Sequence, residues 1–215
     1  MLLALQEDLE ATEGFVTFNG RTFDVPLLEN RFVIGLRQRP ALAARPHFDL
    51  LHPSRRLWRL ELPDCSLGTL EERVLGVRRT QADVPGAEIP GLYLDYLRSG
   101  DASQMARVLY HNEVDILSLV GLTAEILDRH RQGDPAALSA GEALAVARWH
   151  ESHGRISPAE SAYQIAVSAA SDPQLRLTAL RYQATQLKRQ KKLEEAAAVW
   201  REWHESDGAD PQIGR

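Results

Sequence analysis

Two aspartates and a histidine stand where their types and spacing could do chemistry. Asp115 falls on the apolar stripe of a segment with helical periodicity, in which Met105, Val108, Leu119, Leu122 and Ile126 recur in steps of three and four. Asn112 reads onto the same stripe. An ionised carboxylate on a core-facing side is costly unless a cation, hydrogen-bond donors or a metal offsets it. His111 lies one turn before Asp115, so the two side chains can reach one site. Asp24 stands ahead of Val25, Leu28 and Phe32 on one face, at a helix N-cap position. Plainer roles stay open: Asn112 and Asp115 can brace a loop, and Asp24 can be no more than a cap.

The elements that must position these groups are short. Leu and acidic residues alternate at helical spacing over residues 1 to 12, and Gly14 can close that helix before a strand at Phe15-Val16-Thr17-Phe18. Asn19-Gly20 breaks the strand and the Asp24 helix follows. A second strand is expected at His47-Phe48-Asp49-Leu50-Leu51. After Pro53 come helical pieces at Ser54 to Leu60 and Leu67 to Leu75, with Ser66 and Thr69 as caps, Glu72 completing a box with Thr69, and Gly76 as terminator. Residues 83 to 90 form a proline- and glycine-bearing loop, and Asp101 caps the long helix that carries His111 and Asp115.

Composition narrows the function classes. At 215 residues, 44% apolar and 26% charged, the chain reads as globular protein with one full domain and a smaller one. No run approaches about 18 apolar residues, so no membrane-spanning helix is expected. The start lacks a basic region and turns acidic, unlike a secretory signal. The lone Cys65 excludes an internal disulfide and a cysteine-based zinc site and fits a reducing cytoplasm. A net charge of −5 supplies no global attraction for nucleic acid, so any such binding falls to local arginine clusters. The preference for Arg over Lys fits a GC-rich bacterial genome.

Four stretches then carry a resemblance. Val16-Thr17-Phe18-Asn19-Gly20-Arg21-Thr22-Phe23-Asp24-Val25-Pro26-Leu27-Leu28 resembles the second motif of the DEDD exonuclease superfamily. His47-Phe48-Asp49-Leu50-Leu51-His52-Pro53-Ser54-Arg55-Arg56-Leu57-Trp58 and Cys65-Ser66-Leu67-Gly68-Thr69-Leu70-Glu71 are similar to words of its YprB-like, ribonuclease H-like family. His111-Asn112-Glu113-Val114-Asp115-Ile116-Leu117-Ser118-Leu119 resembles that family's third motif. The likeness covers about residues 5 to 130 in the right order. It implies an α/β ribonuclease H-like fold and a 3′–5′ exonuclease that hydrolyses single-stranded nucleic acid with two Mg2+ or Mn2+ ions about 3.5 to 4 Å apart. Hard cations of this kind want oxygen ligands. By resemblance Asp24 and Asp115 hold metal, and His111 deprotonates or orients water. Asn19 would contact nucleic acid, Asp49 and Asn112 would support the site, and Arg55 and Arg56 would either touch phosphates or form a solvated face.

The superfamily's first motif, Asp-x-Glu on a first strand, has no counterpart. Glu7, Asp8 and Glu10 lie in the expected first helix and Glu13 just before the strand, so none carries over. The resemblance therefore implies a chain that begins after the first strands, with a truncated sheet, an exposed apolar edge at Phe15 to Phe18 and an incomplete catalytic set. The alternative is a non-catalytic nucleic-acid-binding module or protein-interaction adaptor.

Beyond a break at Gln132-Gly133-Asp134-Pro135, Ser139 and Glu142 form a capping box. Ile156, Ala159 and Tyr163 then recur as Leu193, Ala196 and Trp200, offset by 37 residues. This resembles a tetratricopeptide-like pair, whose period is about 34, and implies an all-α region that can bind a protein partner. The expected domains are 1–132 and 139–206, with a disordered tail at 207–215. Trp149, Tyr163, Trp200 and Trp203 read as core packing. Lys188, Arg189, Lys191 and Lys192 form a basic turn, either solvated or open to nucleic-acid backbone or an acidic partner.

Overall fold

The leucine-rich start gives helix α1 (Leu2–Ala11) in the computed structural model, which describes residues 2–79, 84–131 and 137–208. Arg45 ties down the end of α1, its Nη1 donating to the carbonyls of Leu9 and, at 2.8 Å, Thr12. The β-branched and aromatic residues that follow form strand β1 (Phe15–Thr17), which pairs in parallel with β2 (His47–Asp49) in the register Phe15–His47, Val16–Phe48 and Thr17–Asp49. Parallel pairing requires a crossover, supplied by α2 (Asp24–Leu36). Each strand is shorter than the sequence reading, because Asn19 turns out of β1 with a positive φ of 63° and Leu50 and Leu51 already enter the next helix. The Cβ that any other residue would carry at Gly20 would lie 2.5 Å from Thr17 Cβ, so this turn needs glycine for close approach. Val16 and Phe48, register partners, remain 48% and 37% exposed.

Helix α3 (Leu51–Trp58) precedes α4 (Leu67–Leu70), which Ser66 caps by accepting from Thr69 N–H at 3.3 Å. No box forms between Thr69 and Glu72. Residues Glu71–Leu75 wind instead into one π-helical turn, and Gly76 ends it with a left-handed φ of 66°. Helix α5 (Ile89–Ser99) and the long α6 (Met105–His130) follow. Asp101 holds a turn at Ser103 rather than capping α6 itself. Gly121 of α6 lies against Leu75, where an added Cβ would stand 3.4 Å from the leucine. Helices α7 (Ala140–Ser152), α8 (Ile156–Ala169), α9 (Pro173–Arg189) and α10 (Leu193–Gly208) complete the described chain; α8 packs on α7, α9 on α8 and α10 on α9.

Two compact units divide these elements: Met1–Ser54 with Asp64–Glu125, and Arg55–Pro63 with Ile126–Arg215. Val25, Phe32, Leu50, Leu70 and Leu122 are buried in the first. In the second, alanines at 143, 147, 159, 162, 166, 179 and 184 are buried between the helices, since small side chains allow close packing. Tyr163 is fully buried, as expected, and donates to Glu151 at 2.7 Å. Trp149, Trp200 and Trp203 keep partial exposure. The expected break at residues 132–135, part of the 83–90 loop and most of the expected tail lie outside the described residues. Among the described residues no helix is long and apolar enough to cross a membrane.

Candidate functional site

Helix α6 presents one polar face inside the first unit. Its stripe runs Val108, His111, Asp115, Ser118, Leu122, with the last two buried. From Val108 a step of three reaches His111 and a step of four reaches Asn112. The stripe takes the first, so Asn112 is exposed and not on the core-facing side expected for it. Asp115 is on that side, its side chain 29% exposed.

The cation that an inward Asp115 demands is Arg79. Its Nη2 donates to Asp115 Oδ1 at 2.6 Å and to Glu71 Oε1 at 2.9 Å, while Nε donates to Glu71 Oε2 at 2.9 Å. The fork is therefore bidentate on Glu71 and shared with Asp115, a geometry open to arginine and closed to lysine. Burial opposes the charge of Arg79, but the bonds to Asp115 and Glu71 outweigh it and raise its pKa. Glu71 is only 2% exposed, so its charge depends on this partner. The π-helical turn sets the register, placing Glu71 at its start and returning the chain through Val77 N–H to the Glu71 carbonyl at 2.9 Å.

His111 completes the network and loses its freedom in doing so. Nδ1 lies 2.9 Å from Arg79 Nη1, and a guanidinium can only donate, so Nδ1 is the acceptor. The ring hydrogen consequently sits on Nε2, 3.2 Å from Asp115 Oδ2. In this arrangement the one lone pair of the neutral imidazole is already used.

The other expected residues fall into two groups. Asp49, 7% exposed, accepts from the backbone N–H of Asn19 at 2.8 Å, Arg21 at 3.1 Å and Leu51 at 3.2 Å. It braces the β1–α2 turn, and Asn19 Oδ1 takes the Thr22 hydroxyl at 2.9 Å. Asp24, Arg55 and Arg56, like Asn112, are exposed and make no side-chain hydrogen bond to a described residue. Asp24 is the first residue of α2 and favours the positive end of its dipole. It is not the cap expected: Phe23 holds that position and no side chain caps it. Sequence reasoning missed Glu71 and Arg79. The available signal was the demand itself, an inward Asp115 requiring a cation, with Arg78-Arg79 following a glycine stop.

Burial works against the charge of Asp49, but the N–H groups of Arg21, Asn19 and Leu51 prevail and hold its carboxyl below the ordinary range. A carboxyl whose folded pKa is depressed stabilises the fold above its unfolded value, about 3.9, and loses that contribution as pH falls through the folded one. Asp49→Asn is therefore expected to cost about 1 to 3 kcal/mol at neutral pH and to flatten the loss of stability below about pH 4. Urea titrations at several pH values check both; an unchanged acid slope contradicts the assignment.

A profile of the RNase_H superfamily matches residues 1–127. The chain belongs to the RNase H superfamily. It is also 34% identical over 188 residues to a Bacillus subtilis (strain 168) protein called uncharacterized protein YprB, a match covering 87% of this chain and 45% of the relative. The chain thus spans less than half the length of that relative. No solved structure matches it. The superfamily generally uses divalent metals, and the donors here can be tested against that use. Among the described residues no group of three His, Cys, Asp or Glu could hold a metal ion. Both oxygens of Asp115 already face Arg79 and His111. The described residues, arranged in this way, do not fit a two-metal centre.

Proposed function

We propose that this chain is a 3′–5′ exonuclease-type domain that holds single-stranded nucleic acid without completing, from its described residues, the metal centre that would cut it. One observation carries the reading: Arg79 already binds both Asp115 and Glu71 and takes the lone pair of His111. In the exonuclease reading Asp24 and Asp115 hold Mg2+ or Mn2+ and His111 serves the attacking water. Those roles require the guanidinium to withdraw and further carboxylates to arrive. Asn19, Arg55 and Arg56 are the proposed nucleic-acid contacts. The 37-residue offset supports reading the helix pairs as tetratricopeptide-like, and the lone cysteine supports a cytoplasmic setting.

The purified 215-residue protein, incubated with end-labelled single-stranded DNA and RNA in Mn2+ or Mg2+, is expected to leave both uncut. It is expected to retain them at low salt, with affinity falling steeply between about 50 and about 200 mM. A metal-dependent ladder of shortened products overturns the reading, and so does an absence of binding at low salt.

A further inference from the structure

Helix α9 carries Arg176, Arg181, Lys188 and Arg189 and no acidic residue, in a chain of net charge −5. Its cations are not all spent inside the protein. Arg176 pairs with Glu202 and Arg189 with Glu151, each at 2.8 Å. Arg181 forms no ion pair with a described residue, and neither does Arg148 across from it on α7. Both guanidinium groups instead gather on one ring, with Arg148 Cζ 4.5 Å and Arg181 Cζ 5.7 Å from the centroid of Tyr182. Arg148, Arg181, Arg189 and Tyr182 line an open groove of about 440 Å³.

Two like charges held beside one ring repel each other, and an anion between them reverses the sign of that interaction. Tyr182 draws both by cation–π attraction, which keeps their planar forks ordered for bidentate contact with an oxyanion. The acid in the groove, Glu151, is already engaged by Arg189 and by the Tyr163 hydroxyl, so it leaves Arg148 and Arg181 uncompensated. Lys188 and Lys191, which also form no ion pair with a described residue, extend the cationic surface past the end of the helix.

We infer that the groove between α7 and α9 is a phosphodiester-binding site, in which Arg148 and Arg181 clamp backbone phosphates of a single-stranded nucleic acid. The inference rests on the proposal that this chain handles single strands. Phosphate is favoured over the carboxylates of an acidic peptide by the clustering of fork-shaped donors on one aromatic ring and by Lys188 and Lys191 beyond, which form no ion pair with a described residue.

The test measures binding of a fluorescent single-stranded oligonucleotide to the full chain across a salt series. R148Q/R181Q is expected to weaken binding about tenfold at low salt and to reduce the magnitude of the log–log salt slope by about 1.4, two phosphates at about 0.7 each. On the wild-type protein, arginine modification by phenylglyoxal, mapped by peptide mass spectrometry, is expected to spare Arg148 and Arg181 when the oligonucleotide is present. This second readout needs no variant to fold. Wild-type binding with unchanged affinity and slope in the double variant, or with unprotected arginines, overturns the groove while leaving the nucleic-acid reading in place. A wild-type protein that binds no oligonucleotide overturns both, and poly-glutamate binding without oligonucleotide binding reassigns the groove to acidic protein partners.

Discussion

Arg79→Met is expected to remove about 3 to 5 kcal/mol from the stability of the N-terminal unit, the range seen when one partner of a buried ion pair is deleted. Glu71, 2% exposed, would lose the guanidinium from which both its oxygens accept, and Asp115 would lose its shortest contact. Hydrogen exchange separates this loss from the rest of the molecule: peptides of α6 and the π-helical turn should exchange faster, while those of α8 and α9 should not. E71Q/R79M should recover part of the deficit, because the buried Glu71 charge is removed with its partner and only the partly exposed Asp115, beside His111, is left without the guanidinium. A loss below about 1 kcal/mol for the single variant would mean that the network contributes no more than an exposed pair does.

The second large effect is expected at Glu142. This carboxylate, 7% exposed, accepts from Ser139 N–H at 3.0 Å, the Trp58 indole at 2.7 Å and Arg129 at 3.0 Å, and its own N–H reaches back to Ser139 Oγ at 3.2 Å. Glu142→Ala breaks a capping box and strands the indole N–H of Trp58, itself 4% exposed, at a cost of about 3 kcal/mol. Burial raises the Glu142 pKa, but Ser139, Trp58 and Arg129 together bring it below the usual glutamate range. Its contribution is thus present above the unfolded value, about 4.3, and vanishes as pH falls through the lower folded one. Thermal melts from pH 7 to pH 3 should show the wild-type helical unit losing its advantage over Glu142→Ala in acid. Parallel curves at all pH values would remove Glu142 from this role.

What was legible in the sequence was local. Ser66 and the Ser139–Glu142 box act within one turn, and both form. The inward placement of Asp115 follows from helical period alone, and so does its need for a partner. The identity of that partner does not. Arg73, Arg78 and Arg79 are all nearby in sequence, and the chain between Glu71 and Arg79 runs through a π-helical turn that no α-helical count contains. Asn112 was misplaced by one step of four where the helix takes three. Phe23 preceding Asp24 as the cap shows how a helix boundary can shift by one residue without altering the burial of Val25 and Phe32. The bond from Trp58 to Glu142 spans 84 positions, and no motif announces it.

The pairing of β1 with β2 bears on the order in which this chain folds. Their residues are separated by about thirty positions, and parallel strands cannot meet through a tight turn. Closing that distance costs chain entropy before any ladder bond repays it. Compaction of α2 shortens the path, so the helix should precede the sheet. The docking of the Asp49 carboxylate onto the amides of Asn19 and Arg21 then follows, a latch that closes only after both strands have arrived.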